Sequence, residues 1–270
     1  MRRVLLGAAV VAALGAVVLV RFWGPREPEP SPDTAAETVS ESELTAAAGE
    51  RVFLGHMSIG WNLLDGMQRL YADKGVPEPE VVQVEAGDSP PDLAAGQGVV
   101  VHAEIGTNGD PLGKIANFDA TMRAGMAEAV DVALVKLCYT DVTAKTDVDA
   151  VFAAYRDTMD ALERDFPQVR FLHTTVPLTA APSGIKQHLK VVVRGDDNAA
   201  RERYNALVRE AYGGDDLFDI AAAEGTAADG TRTASLATGW ADGDRQHLNH
   251  AGSAMLAARF LDVLTQTEDG

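Results

Sequence analysis

The chain has a single cysteine, Cys138, among its 270 residues. One cysteine excludes an intrachain disulfide framework and any metal site built from several cysteines. Basic residues are also scarce, since 23 lysines and arginines stand against 40 aspartates and glutamates, giving a formal net charge of −17. Proteins that bind nucleic acids concentrate Lys and Arg to neutralise phosphates, so this charge argues against a nucleic-acid partner.

The N-terminus carries an apolar run over residues 4–20, in which every residue is apolar or glycine. Its length lies near the lower limit of about 17 to 25 residues that spans a bilayer. It exceeds the roughly 7 to 15 residues of a signal-peptide core, and no small-x-small cleavage site directly follows it. We therefore predict a signal anchor over residues 1–23, with a cleaved signal peptide and a secreted protein as the alternative. Arg2 and Arg3 favour a cytoplasmic N-terminus and an extracytoplasmic remainder.

The Pro- and Glu-rich residues 24–50 predict a disordered, solvated linker, because such a composition buries little apolar surface. From residue 51 to residue 270, short strand-like runs alternate with longer amphipathic runs typical of helices. This alternation predicts one α/β domain with right-handed crossovers and a mostly parallel sheet that helices cover on both faces. The clearest strand-like runs are RVFLGH, QGVVVHAEIG, DVALVKLCYT and QVRFLHTTVPL.

Two polar motifs stand at positions where such a sheet forms its sites, in the loops after the strands. Ser58 follows the first strand in a Gly-flanked turn, GHMSIG, at the start of the next helix. Asp244 and His247 form an Asp-x-x-His motif just before the last helix. A serine needs a base to become a nucleophile, and a carboxylate can orient the imidazole of that base. We predict that His247 activates Ser58 and that Asp244 orients His247.

Each motif also has a structural interpretation. Ser58 could be a helix N-cap, which is a common position for serine. Asp244 could be a turn residue, and Asp242 is a second candidate for the acid. The order of the motifs favours catalysis, because a Ser after the first strand and an Asp-x-x-His before the last helix occur together in one hydrolase superfamily.

On these residues the chain resembles the SGNH/GDSL hydrolases from about Arg51 to Leu264. The resemblance implies a flavodoxin-like three-layer α/β/α sandwich with a mostly parallel central sheet. It also implies an ester hydrolase with Ser58, Asp244 and His247 as catalytic residues. The usual Gly-Asp-Ser of the first family block is replaced here by Gly55-His56-Met57-Ser58, which is similar to a divergent His-x-Ser-x-Gly form.

The same resemblance implies an oxyanion hole. Gly109 in IGTNGDP matches the second block, whose glycine offers its N–H to the oxyanion, and the amide of Asn108 lies beside it. The third block normally supplies an Asn, but this chain has Thr140 there. Either the Thr140 hydroxyl donates a single bond or Asn108 reaches across. Loss of one oxyanion donor costs about 2.7 to 4 kcal/mol, so an active enzyme needs a replacement.

Other polar residues have less specific interpretations. Cys138 is expected to be a small buried hydrophobic residue. Its thiol could still lie near the candidate site. Lys136, Tyr139 and Trp61 are expected in the core or at a pocket rim. A metal site is the weaker alternative for the remaining histidines, because no His-x-x-x-His or Cys pair holds ligands at a recognisable spacing. Those histidines are His56, His102, His173 and His250.

The sequence thus predicts an extracytoplasmic serine esterase or deacetylase that needs no cofactor and no metal. The chain has no long apolar insertion that would indicate a lid for long-chain lipids. We therefore expect a short acyl group, such as acetyl, on a small-molecule or carbohydrate ester. Two alternatives stay open: a carbohydrate O-acetyltransferase, and a catalytically inactive binding protein.

Overall fold

The computed structural model describes residues 38–93 and 96–266. The predicted anchor over residues 1–23 lies outside these residues. Within the described ranges, no helix has both the length and the apolar character needed to cross a bilayer. The strands are β1 Arg51–His56, β2 Glu80–Gln83, β3 Val99–Glu104, β4 Val132–Val135, β5 Arg170–Thr174 and β6 Leu217–Phe218. The helices are α1 Glu41–Ala47, α2 Ile59–Lys74, α3 Pro111–Thr121, α4 Val148–Asp165, α5 Ile185–Arg194, α6 Asp197–Ala211, α7 Ile220–Gly225 and α8 His250–Thr265.

The six strands form a parallel sheet in the order β2-β3-β1-β4-β5-β6. Without the edge strand β2, this is the flavodoxin-like order 2-1-3-4-5. The chain reverses its direction across the sheet at β1, whose neighbours are β3 and β4. A crevice therefore opens beyond the carboxyl end of β1, where ligands bind in such sheets. The predicted fold class is confirmed for the described residues.

Both faces of the sheet are apolar, because the central strands are runs of buried, mainly β-branched residues. One face packs against α1, α2 and α8 around residues such as Leu54, Leu63 and Leu256. The other face packs against α3, α4 and α6 around Phe53 and Phe118. The three layers follow from this division of the core.

The ordered domain begins earlier than its predicted boundary at residue 51. Within the predicted linker 24–50, Ser40 caps helix α1, where its side chain and that of Glu43 form a reciprocal capping box. Leu44 is fully buried against the same core as α2 and α8, and its carbonyl accepts a hydrogen bond from the Tyr71 hydroxyl at 3.0 Å. The prediction of a disordered linker is therefore wrong for these residues, whose apolar side chains are too few to show a clear helical period.

Helices α2 and α8 pack in direct contact at Gly66. A Cβ at this position would lie 2.1 Å from the carbonyl oxygen of Ser253. We expect Gly66→Ala to destabilise the protein by about 1 to 3 kcal/mol or more, because backbone atoms must move apart. Urea unfolding checks this value. Gly213→Ala is the matched control, since its Cβ would meet no atom within 4 Å. Equal stability of the two variants would contradict the close approach.

Besides α1, strand β2 and helix α5 are also not predicted from the sequence. Strand β2 is short and mostly exposed, so it lacks the apolar alternation that indicates a strand. Helix α5 lies between β5 and α6 in a stretch without buried positions. The chain after α3 stays helical to Ala129 only through an irregular turn, because Gly125 adopts a φ of 111° there.

Candidate active site

Ser58 stands at the carboxyl end of β1, directly before α2. Its φ of 21° and ψ of −81° are unusual for a residue with a side chain. Ser58 occupies the N-cap position of α2, but its hydroxyl makes no capping hydrogen bond to the helix. Within the described residues, the Ser58 N–H also has no acceptor, as expected of a free donor at a helix N-terminus. Such strain is found at functional sites, where the surrounding structure holds it in place.

His56 explains the His-x-Ser-x-Gly pattern. Its ring lies beneath the first turn of α2, where a Cβ on Gly60 would approach it to 2.2 Å. Nε2 of His56 is 3.0 Å from Nδ1 of His102, and the indole of Trp61 packs edge-on against both rings. Burial lowers the pKa of His56 to about 3, so the ring is neutral and supports the Ser58 turn without carrying charge.

Asp244 and His247 form a local pair in the loop before α8. Nδ1 of His247 is hydrogen-bonded to Oδ2 of Asp244, and the N–H groups of Gln246 and His247 donate to Oδ1 at 2.9 and 3.0 Å. Desolvation raises the pKa of Asp244, but these donors outweigh it and hold the pKa below its ordinary value. The carboxylate therefore stays charged and fixes the imidazole.

The acid loop is itself strained. Arg245, between the paired residues, has a φ of 63°. Among the described residues other than glycine, only Ser58 and Arg245 have a positive φ. The alternative acid, Asp242, accepts a hydrogen bond from the N–H of Gly243 at 2.7 Å and makes none to the His247 ring. The structure thus favours Asp244 as the partner of His247.

Three contacts hold the serine turn and the histidine loop near each other. The Asn62 side chain, one turn after Ser58, donates to the carbonyl of Leu248 at 3.1 Å. The residues after β4 touch both motifs: Cys138 Sγ lies 3.9 Å from Ser58 Oγ, and the Tyr139 ring packs edge-on against that of His247 at 5.7 Å. Ser58 and His247 therefore flank the same loop.

Ser58 Oγ and His247 Nε2 do not form a hydrogen bond within the part of the chain that the structure describes. Catalytic hydrogen bonds in enzymes without substrate are frequently long and tighten in the Michaelis complex. Ser58 and the Asp244–His247 pair thus lie on either side of the loop after β4, and their roles as nucleophile, base and acid stay a prediction.

A buried ion pair organises the neighbouring loops. Lys114 Nζ lies 2.7 Å from Asp141 Oδ2, and both side chains are fully buried. The same carboxylate accepts the backbone N–H groups of Cys138 and, at 2.7 Å, of Gly109. Asp141 thereby joins the loop after β3 to the loop after β4. Neither residue belongs to the predicted site, because a lysine in a helix and an aspartate in a turn are ordinarily solvated.

The predicted oxyanion donors differ from one another in their hydrogen bonding. The Gly109 N–H donates to Asp141 Oδ1 at 2.7 Å, and its place in an oxyanion hole stays a prediction. Thr140 Oγ1 is enclosed by protein and has no hydrogen-bond partner in the described ranges. Asn108 Oδ1 accepts from Lys114 Nζ at 2.8 Å. Because lysine only donates, this bond fixes the amide orientation and leaves the Asn108 NH₂ group available.

The other polar residues have structural partners. Cys138 is buried, as predicted, and its Sγ accepts a hydrogen bond from the buried Lys136 at 3.2 Å. Burial lowers the pKa of Lys136, and the nearby Cys138 opposes this shift. The described residues contain no group of three or more His, Cys, Asp or Glu side chains placed to hold a metal ion.

A cavity of about 540 Å³ opens beside Asp244. Tyr139 and Thr140 line it on one side, and Asn198 and Arg201 from α6 line the opposite side. The Arg201 guanidinium is buried and donates to the carbonyls of Tyr139 and Val142. The cavity is therefore polar at its floor and adjoins the acid of the candidate triad.

Glu224 is a fully buried carboxyl in α7, near this floor. Burial raises its pKa to about 8, against a hydrogen bond from the N–H of Leu178 at 2.6 Å. The folded state then holds a proton that the unfolded state has lost, so Glu224 lowers stability as the pH rises from about 4.5 to 8.

We expect Glu224→Gln to abolish this loss. Relative to wild type, the variant should gain about 1.4 kcal/mol per pH unit between about pH 5 and 8. Urea unfolding of both proteins across this range measures the difference. Buried histidines such as His173 have a lowered pKa and destabilise the protein below about pH 6.5. Because this effect is the same in both proteins, the difference from wild type isolates the contribution of Glu224. A constant difference between the proteins would refute the raised pKa.

No protein-family model matches the chain, and no curated protein matches it. Among solved structures, the chain is similar to a Streptococcus pneumonia protein provisionally named a platelet activating factor, with 14% identity and a TM-score of 0.51 over 95% of this chain and 99% of that one. It also matches a provisionally named lipolytic protein of the G-D-S-L family from Desulfitobacterium hafniense DCB-2, at 9% identity and a TM-score of 0.46 over 79% and 99% of the two chains. A peptidoglycan O-acetylesterase matches at 14% identity and a TM-score of 0.41, over 63% and 47%.

The strand order and the first of these structures establish an α/β/α sandwich with a parallel sheet. The α/β/α fold that the sequence resemblance to the SGNH/GDSL hydrolases implies is therefore confirmed. At these identities the likeness concerns the fold, and the activity is argued below from the site.

Proposed function

We propose that this chain is an SGNH-type serine esterase that acts through an acyl-enzyme at Ser58. The observation that carries the proposal is the Ser58 turn: a strained serine at the switch point of the sheet, with its hydroxyl free of any capping bond, beside a histidine already paired with a carboxylate. A serine that only capped a helix would adopt ordinary backbone angles and bond to the helix.

In the acylation step, Ser58 Oγ attacks the ester carbonyl and forms a C–O bond, while its proton passes to His247 Nε2. Asp244 stabilises the resulting imidazolium. The Ser58 N–H and the Asn108 NH₂ group are the donors that we assign to the oxyanion. The ester C–O bond then breaks, and His247 returns the proton to the leaving alcohol.

In the deacylation step, water replaces the alcohol. His247 Nε2 takes a proton from the water as its oxygen attacks the acyl carbonyl, and the acid product leaves as the proton returns to Ser58 Oγ. The chemistry uses only side chains and backbone groups of this chain.

The polar cavity beside Asp244 suits the alcohol part of the substrate. Thr179, Asn198 and Arg201 line it with hydrogen-bonding groups, which fit a hydroxyl-rich alcohol such as a carbohydrate. We propose a short acyl group, such as acetyl, and an extracytoplasmic site of action. The proposal of this location rests on the N-terminal apolar run, because the arginines that precede it favour an extracytoplasmic domain.

A fluorophosphonate probe tests the nucleophile directly. The wild-type chain is treated with the probe and its intact mass is measured, with a known serine hydrolase as positive control. One adduct that maps to Ser58 supports the proposal, since only an activated serine reacts. Absence of an adduct on the folded protein refutes an activated nucleophile and favours a binding protein. Acyl-donor assays with and without sugar acceptors then separate an esterase from a transferase.

A further inference from the structure

Helix α5 exposes an apolar face that nothing in the described structure covers. The exposed fractions are 73% for Ile185, 63% for Leu189, 82% for Val192 and 76% for Val193. No described side chain of the helix is buried, and Val191 alone is half-buried. Because isolated helices shorter than about 12 to 15 residues are marginal in water, this 10-residue helix needs a surface to pack against.

The apolar residues lie on one side of α5. Positions 185, 189, 192 and 193 follow the i, i+4, i+7, i+8 spacing of a single helical face. Most large apolar residues that are exposed in the described structure belong to this face. Such a concentration marks an interaction surface, whereas scattered exposed residues are normal.

The charge of α5 is opposite to that of the whole chain. Lys186, Lys190 and Arg194 recur every four residues, and the helix contains no acid although the net charge is −17. The aspartates that follow belong to α6: Asp196 caps it, and Asp197 accepts the N–H of Ala144. A short basic amphipathic helix is typical of segments that lie in the interface of a membrane.

Helix α5 stands at the rim of the cavity next to the candidate triad. Its Gln187 and Val191 line that cavity together with Asp244. Glycines with positive φ flank it, Gly184 at 80° and Gly195 at 93°, and they set its angle to the domain. The segment before it is tied to the acid loop, because the N–H of Ala180 donates to the carbonyl of Arg245 at 3.0 Å.

We propose that α5 docks on an anionic phospholipid bilayer. Its apolar side chains enter the boundary between headgroups and acyl chains, and its basic side chains contact lipid phosphates. With α5 docked in this way, the rim of the cavity lies at the membrane surface. The inference goes beyond the proposed function and holds whether or not Ser58 is a nucleophile.

Hydrogen exchange of the 185–194 backbone amides tests the docking in the full 270-residue chain. The protein is reconstituted with vesicles of phosphatidylcholine alone or of phosphatidylcholine mixed with phosphatidylglycerol. We expect exchange in α5 to slow by about tenfold or more on the anionic vesicles, and little on the neutral ones. Because the readout is local to α5, attachment of the N-terminal segment to either vesicle does not mimic it.

Two variants remove the contacts that the proposal requires. Leu189→Glu with Val192→Glu removes the apolar face, and Lys186→Glu with Arg194→Glu reverses the charge. Each should lose the protection on anionic vesicles while circular dichroism of the domain stays unchanged. The control is Val81→Glu, which changes an exposed apolar residue of β2 at the opposite edge of the sheet and should keep the protection.

Three outcomes overturn the proposal. The first is unprotected exchange of α5 on both kinds of vesicle. The second is equal protection on neutral and anionic vesicles, because the basic residues then play no part. The third is protection without lipid that increases with protein concentration, which would assign the apolar face to a second copy of the chain.

Discussion

Ser58→Ala and His247→Ala should each lower kcat/KM for an activated short-chain ester by about 10⁴-fold or more, and should abolish fluorophosphonate labelling. Removal of Ser58 eliminates the acyl-enzyme, and removal of His247 leaves its hydroxyl without a base. Asp244→Asn should cost about 10²-fold or more, because an amide neither fixes the same imidazole tautomer nor stabilises the imidazolium. Steady-state kinetics and intact mass measure these effects.

Ser183→Ala is the matched control for the serine, because Ser183 is exposed and precedes α5 near the same cavity. It should retain wild-type kinetics. The double variant Ser58→Ala/His247→Ala should be no slower than either single variant, since residues that act as one unit are not additive. Full activity of folded Ser58→Ala would exclude the proposed mechanism.

Lys114→Met should be the most destabilising substitution of a charged residue, at about 3 to 5 kcal/mol in urea unfolding at neutral pH. In wild type, Lys114 Nζ lies 2.7 Å from Asp141 Oδ2. The substitution removes this cation and leaves the fully buried Asp141 carboxylate without a charged partner. The loss should also disturb the loops after β3 and β4, because Asp141 bonds to backbone N–H groups in both. Activity should therefore fall in the fraction that stays folded.

Arg123→Met is the control for this pair. Arg123 also bridges carboxylates, those of Asp119 and Asp165, but its side chain is 38% exposed. Exposed pairs contribute about 0 to 1 kcal/mol, so this variant should be nearly as stable as wild type. The double variant Lys114→Met/Asp141→Asn should recover part of the lost stability, since no unpaired charge remains. Equal effects of Lys114→Met and Arg123→Met would show that the buried pair is unimportant.

Much of the fold is predictable because it depends on local periodicity. Each of the strands β1, β3, β4 and β5 contains a short run of apolar residues, and the helices between them have amphipathic spacing. The end of α2 at Gly75 and the start of α8 after Asn249 follow from capping residues in the sequence. The pairing of Asp244 with His247 is equally local, because the two residues are three positions apart.

Contacts between distant segments do not have such a signal. Lys114 and Asp141 are 27 positions apart, and only the placement of α3 beside β4 brings them together in the core. The hydrogen bond from the Gly109 N–H to Asp141 and the bond that orients the Asn108 amide both involve that pair, so the sequence does not predict which of these donors is free. Helix α1 is likewise not predictable from local sequence, because it is stabilised by the burial of Leu44 in the core of the domain.

The sequence by itself determined the α/β class and the positions of Ser58 and of the Asp-x-x-His motif in loops that precede helices, because these depend on neighbours within one turn or one strand. Only the tertiary structure decided which donors remain free, which charges are buried and which apolar face stays uncovered at α5. The physical reason is that hydrogen bonding and solvation belong to the set of surrounding atoms, and strand order and helix packing assemble that set from residues far apart in the chain.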